Sequence, residues 1–167
     1  MTKTKFNLRN KVNHLFPYSS SLWPLSLTIL FQYHFPTFDE LPDDDDLDLR
    51  YYDDPENYGV YGPIKHWCLL VEVVEPIPYL RPMYLVKDNA GKQFLVALYL
   101  DNGVEIPAVW KKHCFPGSVI GIMYATRHFF MDGQYGIRVE ELENVKVSEQ
   151  STKLKPIRFA LIFCPQI

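Results

Sequence analysis

The sequence contains no common catalytic or nucleotide-binding signature. GxGxxG, P-loop, GxSxG, HExxH and kinase patterns are all missing. Cysteine is scarce: Cys68, Cys114 and Cys164 stand far apart with no CxxC pair, so neither a zinc motif nor a disulfide framework can be read. Unframed thiols suit a reducing, intracellular compartment, nuclear or cytoplasmic, and Cys68 and Cys114 read as small buried hydrophobes. Long apolar runs are lacking too. The longest, residues 22–35, is broken by Pro24 and ends in Gln32 and His34, short of the ~20 residues that span a bilayer. A basic stretch precedes it but no small-residue cleavage site follows, which argues against a secretory signal. Long helices are disfavoured by 13 prolines.

A surplus of positive charge is also missing. The net charge of −3 hides an asymmetry: residues 1–38 hold four basic residues and no acid, and residues 39–63 hold ten acids and one arginine. Residues 64–148 hold nine of each sign, and this neutrality counts against a strong electrostatic nucleic-acid binder. The acidic stretch centres on Asp43-Asp44-Asp45-Asp46. It lacks the alternating acids around a glycine that a calcium loop needs. It reads as a solvated, self-repelling linker, and the sharper alternative is an acidic decoy laid across a basic groove.

What the sequence does have is a β-rich stretch from 64 to 148, cut by Gly, Pro and Asn/Asp turn signals. In the first strand, 66–75, Trp67, Leu69, Val71 and Val73 fall on one face, the expected core face. Pro76 and Pro78 end it, since neither donates to a ladder. Residues 83–87 and 93–100 read as a hairpin around Asp88-Asn89-Ala90-Gly91, with Asn89 or Gly91 at positive φ. The even face of its second arm (Phe94, Val96, Leu98, Leu100) is apolar throughout. Asp101-Asn102-Gly103 signals a turn, and 107–113 suits a helical turn or two with Pro107 at its first position. Residues 118–126 form the fourth strand, with a bulge or bend expected at Gly121. A loop or hairpin tip, 127–135, leads to a fifth strand that begins at 136–140 and continues at 145–147 after a kink.

This order predicts an all-β fold with minor α content: a five-stranded OB-like Greek-key barrel with a short helix between strands three and four. Another small Greek-key barrel or an SH3-like barrel is the alternative. The expected domain is 64–148. Residues 1–63 would be a poorly ordered tail with an acidic linker, and 149–167 a C-terminal tail.

The runs Trp67-Cys68-Leu69-Leu70-Val71-Glu72-Val73-Val74, Leu85-Val86-Lys87-Asp88-Asn89-Ala90-Gly91 and Pro116-Gly117-Ser118-Val119 resemble the OB modules of single-strand-binding proteins. A closer resemblance covers roughly 65–147 and is to a group of uncharacterised fungal MYND-type zinc-finger proteins. It rests on His66-Trp67-Cys68-Leu69, Leu85-Val86-Lys87-Asp88, the run from Asp132 to Glu140 with its Gly136-Ile137-Arg138, and Val145-Lys146-Val147. The chain departs from that group in lacking, after Val147, the Cys and His set of the finger. Finger-dependent functions, such as recruiting proline-rich partners, are therefore not carried over, and the stretch after Lys153 reads as the ending of a truncated or alternative product.

No enzyme is expected. His113 and Cys114 are adjacent, and adjacent helical residues do not face each other. His66 and Cys68 share a strand face, but two ligands make a poor metal site. Glu140, Glu141 and Glu143 read as a solvated turn. The expected role is a binding module for single-stranded nucleic acid, or alternatively for a protein partner, with no cofactor, metal or membrane. The candidate stacking aromatics are Tyr99, Tyr84 and Phe129 with its neighbour Phe130, each with core or rim packing as the competing reading. The candidate basic residues are Arg81, Lys87, Lys92, Arg127 and Arg138. Convergence of Arg81, Lys92, Arg127 and Arg138 around Tyr99 would favour nucleic acid. Disruption of that face by Glu72 and Asp101 would favour protein.

Overall fold

Strand β1 (Cys68–Ile77) pairs on both sides and organises the fold in this computed structural model, which describes residues 33–53, 62–78, 81–100, 106 and 108–147. The readings of residues 1–32, 54–61 and 148–167, and of the turn at 101–103 and Pro107, lie outside those residues. The odd face of β1 is the core face: Trp67 just before it, Leu69, Val71 and Val73 are almost fully buried. The alternation of a half-buried strand produces this directly. On one side β1 pairs antiparallel with β2 (Met83–Asp88), and β2 pairs with β3 (Gln93–Leu98). The turn between β2 and β3 places Gly91 at φ 87°, a conformation that a side chain resists. On the other side β1 pairs antiparallel with β4 (Val119–Met123).

The short helix α1 (Ala108–His113) lies between β3 and β4, and its Trp110 enters the core beside Tyr84. A hairpin follows, β5 (His128–Phe129) with β6 (Tyr135–Val139). After a 3-10 turn at Leu142–Asn144 comes β7 (Val145–Val147). The fifth strand of the sequence reading is thus two segments. β6 pairs parallel with β3, and β7 pairs antiparallel with β4.

These strands form one mixed sheet in the order β5-β6-β3-β2-β1-β4-β7, and it is not closed. Five steps separate β6 from β7, which on a flat sheet would be about 24 Å at ~4.8 Å per strand. Residues 140–144 join the two segments, three of them in the 3-10 turn, where the rise is only ~2 Å each. The sheet must therefore curl strongly to bring β6 and β7 within reach.

Two local expectations change. Gly121 pairs regularly with Leu70 and Lys146, and the irregularity lies in β1, where the register with β2 shifts between Val73 and Glu75. Strand four stops at Met123 rather than 126 because Tyr124 takes φ 54°, which breaks the extended backbone.

The larger difference concerns residues 33–53. The sequence places them in a tail and linker outside 64–148, with packing on the barrel an open alternative for 22–35 alone, and Phe35, Phe38, Leu41 and Tyr51 are buried. Phe38 stacks on Phe94 at 4.0 Å, and Tyr51 meets the Trp67 ring edge-on at 4.7 Å. Buried Asp88 ties this strap to the β2–β3 turn: its carboxylate accepts from the backbone N–H of Phe38 (2.9 Å), Ala90 (3.0 Å) and Lys92 (2.9 Å). A buried carboxylate needs such donors to offset its lost hydration.

Candidate binding face

Arg81, Tyr99 and Arg138 come from three places in the chain and meet on the outer face of the sheet. On β3, Phe94, Val96 and Leu98 point inward, so Leu95, Ala97 and, one residue past the strand, Tyr99 point outward. The Tyr99 N–H donates to the Val139 carbonyl at 2.7 Å, which extends the β3–β6 pairing to this residue. On β6, Ile137 and Val139 are core and Arg138 faces out, opposite Ala97. Arg81 stands just before β2, whose first residue, Met83, also pairs with Ala97. The guanidinium carbons of Arg81 and Arg138 lie 3.8 and 4.5 Å from the Tyr99 ring centre. Each such contact contributes about 0.5–1 kcal/mol at an exposed site.

The ring is engaged on a further side. Phe130 stacks near-parallel to Tyr99 at 6.4 Å and 18°, and meets His128 edge-on at 4.8 Å. Phe130 is itself buried, because its ring lies on Gly136. A Cβ there would come within 2.7 Å of the Phe130 ring and 2.5 Å of the Leu95 carbonyl oxygen. Glycine at 136 is what lets the β5–β6 turn fold down beside Tyr99.

Arg138 also pairs with Glu140, both half-exposed, and an exposed pair of this kind is weak. Among the described residues no carboxylate pairs with Arg81. Glu72, the residue expected to break up the face, instead reaches Lys87 at 3.6 Å, and Asp101 lies outside the described residues.

The remaining sequence candidates do not join this cluster. Tyr84 is a core residue, 8 % exposed, so its ring is not open to a ligand. Burial pushes its hydroxyl up to about 12, with the Cys114 thiol beside it contributing. The sequence misled here because Met83-Tyr84-Leu85-Val86 is apolar on both faces. Lys92 sits at the far end of β3 from Tyr99, about 23 Å away at ~3.3 Å per residue, paired with Asp39 over the Phe38 ring. Arg127 pairs with Asp43 at 2.8 Å, and its N–H donates to the Pro42 carbonyl. His128 pairs with Asp44. Three acids of the described acidic stretch thus lie against bases, while Asp45 and Asp46 stay exposed. Phe129 is half-exposed and packs on Tyr135 at 4.9 Å. It pairs with Tyr135 across the hairpin, while His128 pairs with Gly136, so Phe129 stands on the opposite face of the ribbon from Arg138.

Two residues were not singled out from sequence. Tyr135 forms the apolar tip with Phe129 and the fully exposed Met131. Glu140 carries in the sequence only the signal of a solvated turn. Its position two residues after Arg138 put both on one side of an extended chain, and that period was the available signal.

Cys114 offers little as a nucleophile. It is buried, and burial pushes its thiol up to about 11, whereas reactive thiols are depressed. Among the described residues no group of three or more His, Cys, Asp or Glu side chains is placed to hold a metal ion. No described helix is long and apolar enough to cross a membrane. A groove of ≈ 320 Å³ runs between the end of β4 and β6, but Asp44, Glu140 and Glu141 line it against a single basic residue, Arg138. Compared with known proteins, the chain matches no family model and no curated protein.

Proposed function

We propose that this chain is a non-enzymatic binding module built on an OB-like barrel, with single-stranded nucleic acid as its ligand. The convergence of Arg81 and Arg138 on Tyr99 carries this reading. The barrel part is supported by pairing. β6 pairs with β3 and β7 pairs with β4, so the two segments of 135–147 lie on the third and fourth strands, the pairing partners that the fifth strand of an OB-like barrel takes, although the sheet itself is not closed. Arg81 then stands in the connection between strands one and two, and Phe130 in the one between strands four and five. Those two connections flank the ligand face of an OB fold. The resemblance to fungal MYND-type proteins is kept as part of the proposal, since its most distinctive run supplies both Gly136 and Arg138.

Lys92 and Arg127 are engaged by acids, so few free cations remain and binding should be modest. Fluorescence anisotropy of labelled single-stranded DNA and RNA against the full chain over a salt series tests this. Binding on the order of micromolar that weakens as salt rises is expected. A folded protein that binds neither strand at low salt would overturn the reading.

A specific observation favours a protein partner as the second reading. Phe129, Met131 and Tyr135 are exposed together at the β5–β6 tip, and aromatics and methionine are enriched at interface centres.

A further inference from the structure

We infer that Tyr99 is not a base-stacking platform but a support that holds Arg81 and Arg138 as a paired clamp for the phosphodiester backbone of a single strand. The inference rests on the nucleic-acid reading above and assigns the roles within that site. A base stacks on an aromatic only where a ring face is free. Here the Tyr99 ring carries the Arg81 guanidinium at 3.8 Å, the Arg138 guanidinium at 4.5 Å and the near-parallel Phe130 ring at 6.4 Å.

Two like charges gathered on one ring repel each other. An anion between them turns that repulsion into two charge-assisted hydrogen bonds. Guanidinium suits this role because its plane stacks on the ring while its N–H edge stays directed outward. The Arg138–Glu140 pair is exposed and would be exchanged for a phosphate without burying an unpaired charge. Gly136 contributes by admitting the Phe130 ring, which backs Tyr99.

Anisotropy of the full chain against two labelled strands of equal length tests the assignment. One is ordinary single-stranded DNA, and the other is an abasic strand that keeps the phosphodiesters and has no bases. Tyr99→Leu is expected to weaken both strands by the same factor, about fivefold or more, from the loss of both cation–π supports. Tyr99→Phe keeps the ring and should bind both strands as the parent does. Arg81→Gln and Arg138→Gln, at exposed positions that do not threaten the fold, should each weaken both strands alike. A Tyr99→Leu variant weakened only on the base-bearing strand would overturn the clamp and make Tyr99 a stacking residue. A parent protein that binds the base-bearing strand but not the abasic one would also overturn the clamp, while leaving the nucleic-acid reading in place. Binding of neither strand by the folded parent would overturn both.

Discussion

Arg138 in β6 and Glu140 just past its end stand two apart, and their ion pair competes with any anion brought to Tyr99. Glu140→Gln should therefore tighten single-strand binding about two- to fivefold, the worth of an exposed pair. Anisotropy at fixed low salt reads the change, and weaker binding would contradict it. Gly136 meets a stricter limit, because the Leu95 carbonyl oxygen 2.5 Å from a new Cβ belongs to backbone and cannot swing aside. Gly136→Ala should cost roughly 1–3 kcal/mol in urea unfolding, as overpacking does. Asp88 is the third sensitive residue. Asp88→Ala removes the acceptor for three backbone N–H groups and should cost about 2–3 kcal/mol or more. Asp88→Asn, which keeps one acceptor oxygen, should cost less.

At the scale of elements, the strap 33–53 decides how much free positive charge the surface shows. Asp39, Asp43 and Asp44 lie on Lys92, Arg127 and His128. Changing all three acids to asparagine should cost little stability, about 1–2 kcal/mol in total. The same change should tighten single-strand binding and steepen its salt dependence, because more cations become available. An unchanged salt dependence would place these bases outside the path of the strand. The strap was also the element least legible in the sequence. Its apolar anchors, Phe35, Phe38 and Leu41, are spaced three apart and embedded among prolines and acids, so charge density masked a buried face. β1 was legible because Trp67, Leu69, Val71 and Val73 make one face apolar throughout, whereas His66 and Glu72 interrupt the other, and a strand buried on one face shows that asymmetry. Tyr84 was not, because a strand apolar on both faces carries no period from which to choose a core side.

For the whole molecule, the core sets a limit on the alkaline side. Burial raises Tyr51 and Tyr84 to about 12 and Cys114 to about 11. Each group is held in its neutral form by the fold and ionises earlier when unfolded, near 10 for tyrosine and 9 for cysteine. The stability they contribute is complete below those unfolded values. It is lost as pH rises through about 11 for Cys114 and about 12 for the tyrosines. Urea midpoints should therefore be flat from pH 7 to near 9 and fall steadily above it. Midpoints that hold through pH 12 would contradict this packing. The strand succession was legible as turn signals between short β runs, but the expected kinked fifth strand is instead two strands, β6 and β7, separated by a 3-10 turn. The convergence of residues 81, 99 and 138 was not, because it depends on β3 and β6 running side by side in parallel, a long-range pairing that no local pattern encodes.

The account turns on whether Arg81 and Arg138 meet phosphate, and the salt slope of single-strand binding measures that most directly. Log affinity against log salt should be compared between the parent and the double variant Arg81→Gln/Arg138→Gln, both as full chains. Loss of two phosphate contacts should reduce the magnitude of the slope by about 1.4, at roughly 0.7 per contact on a single strand. A double variant whose slope matches the parent's would contradict the account and move the ligand away from the Tyr99 face.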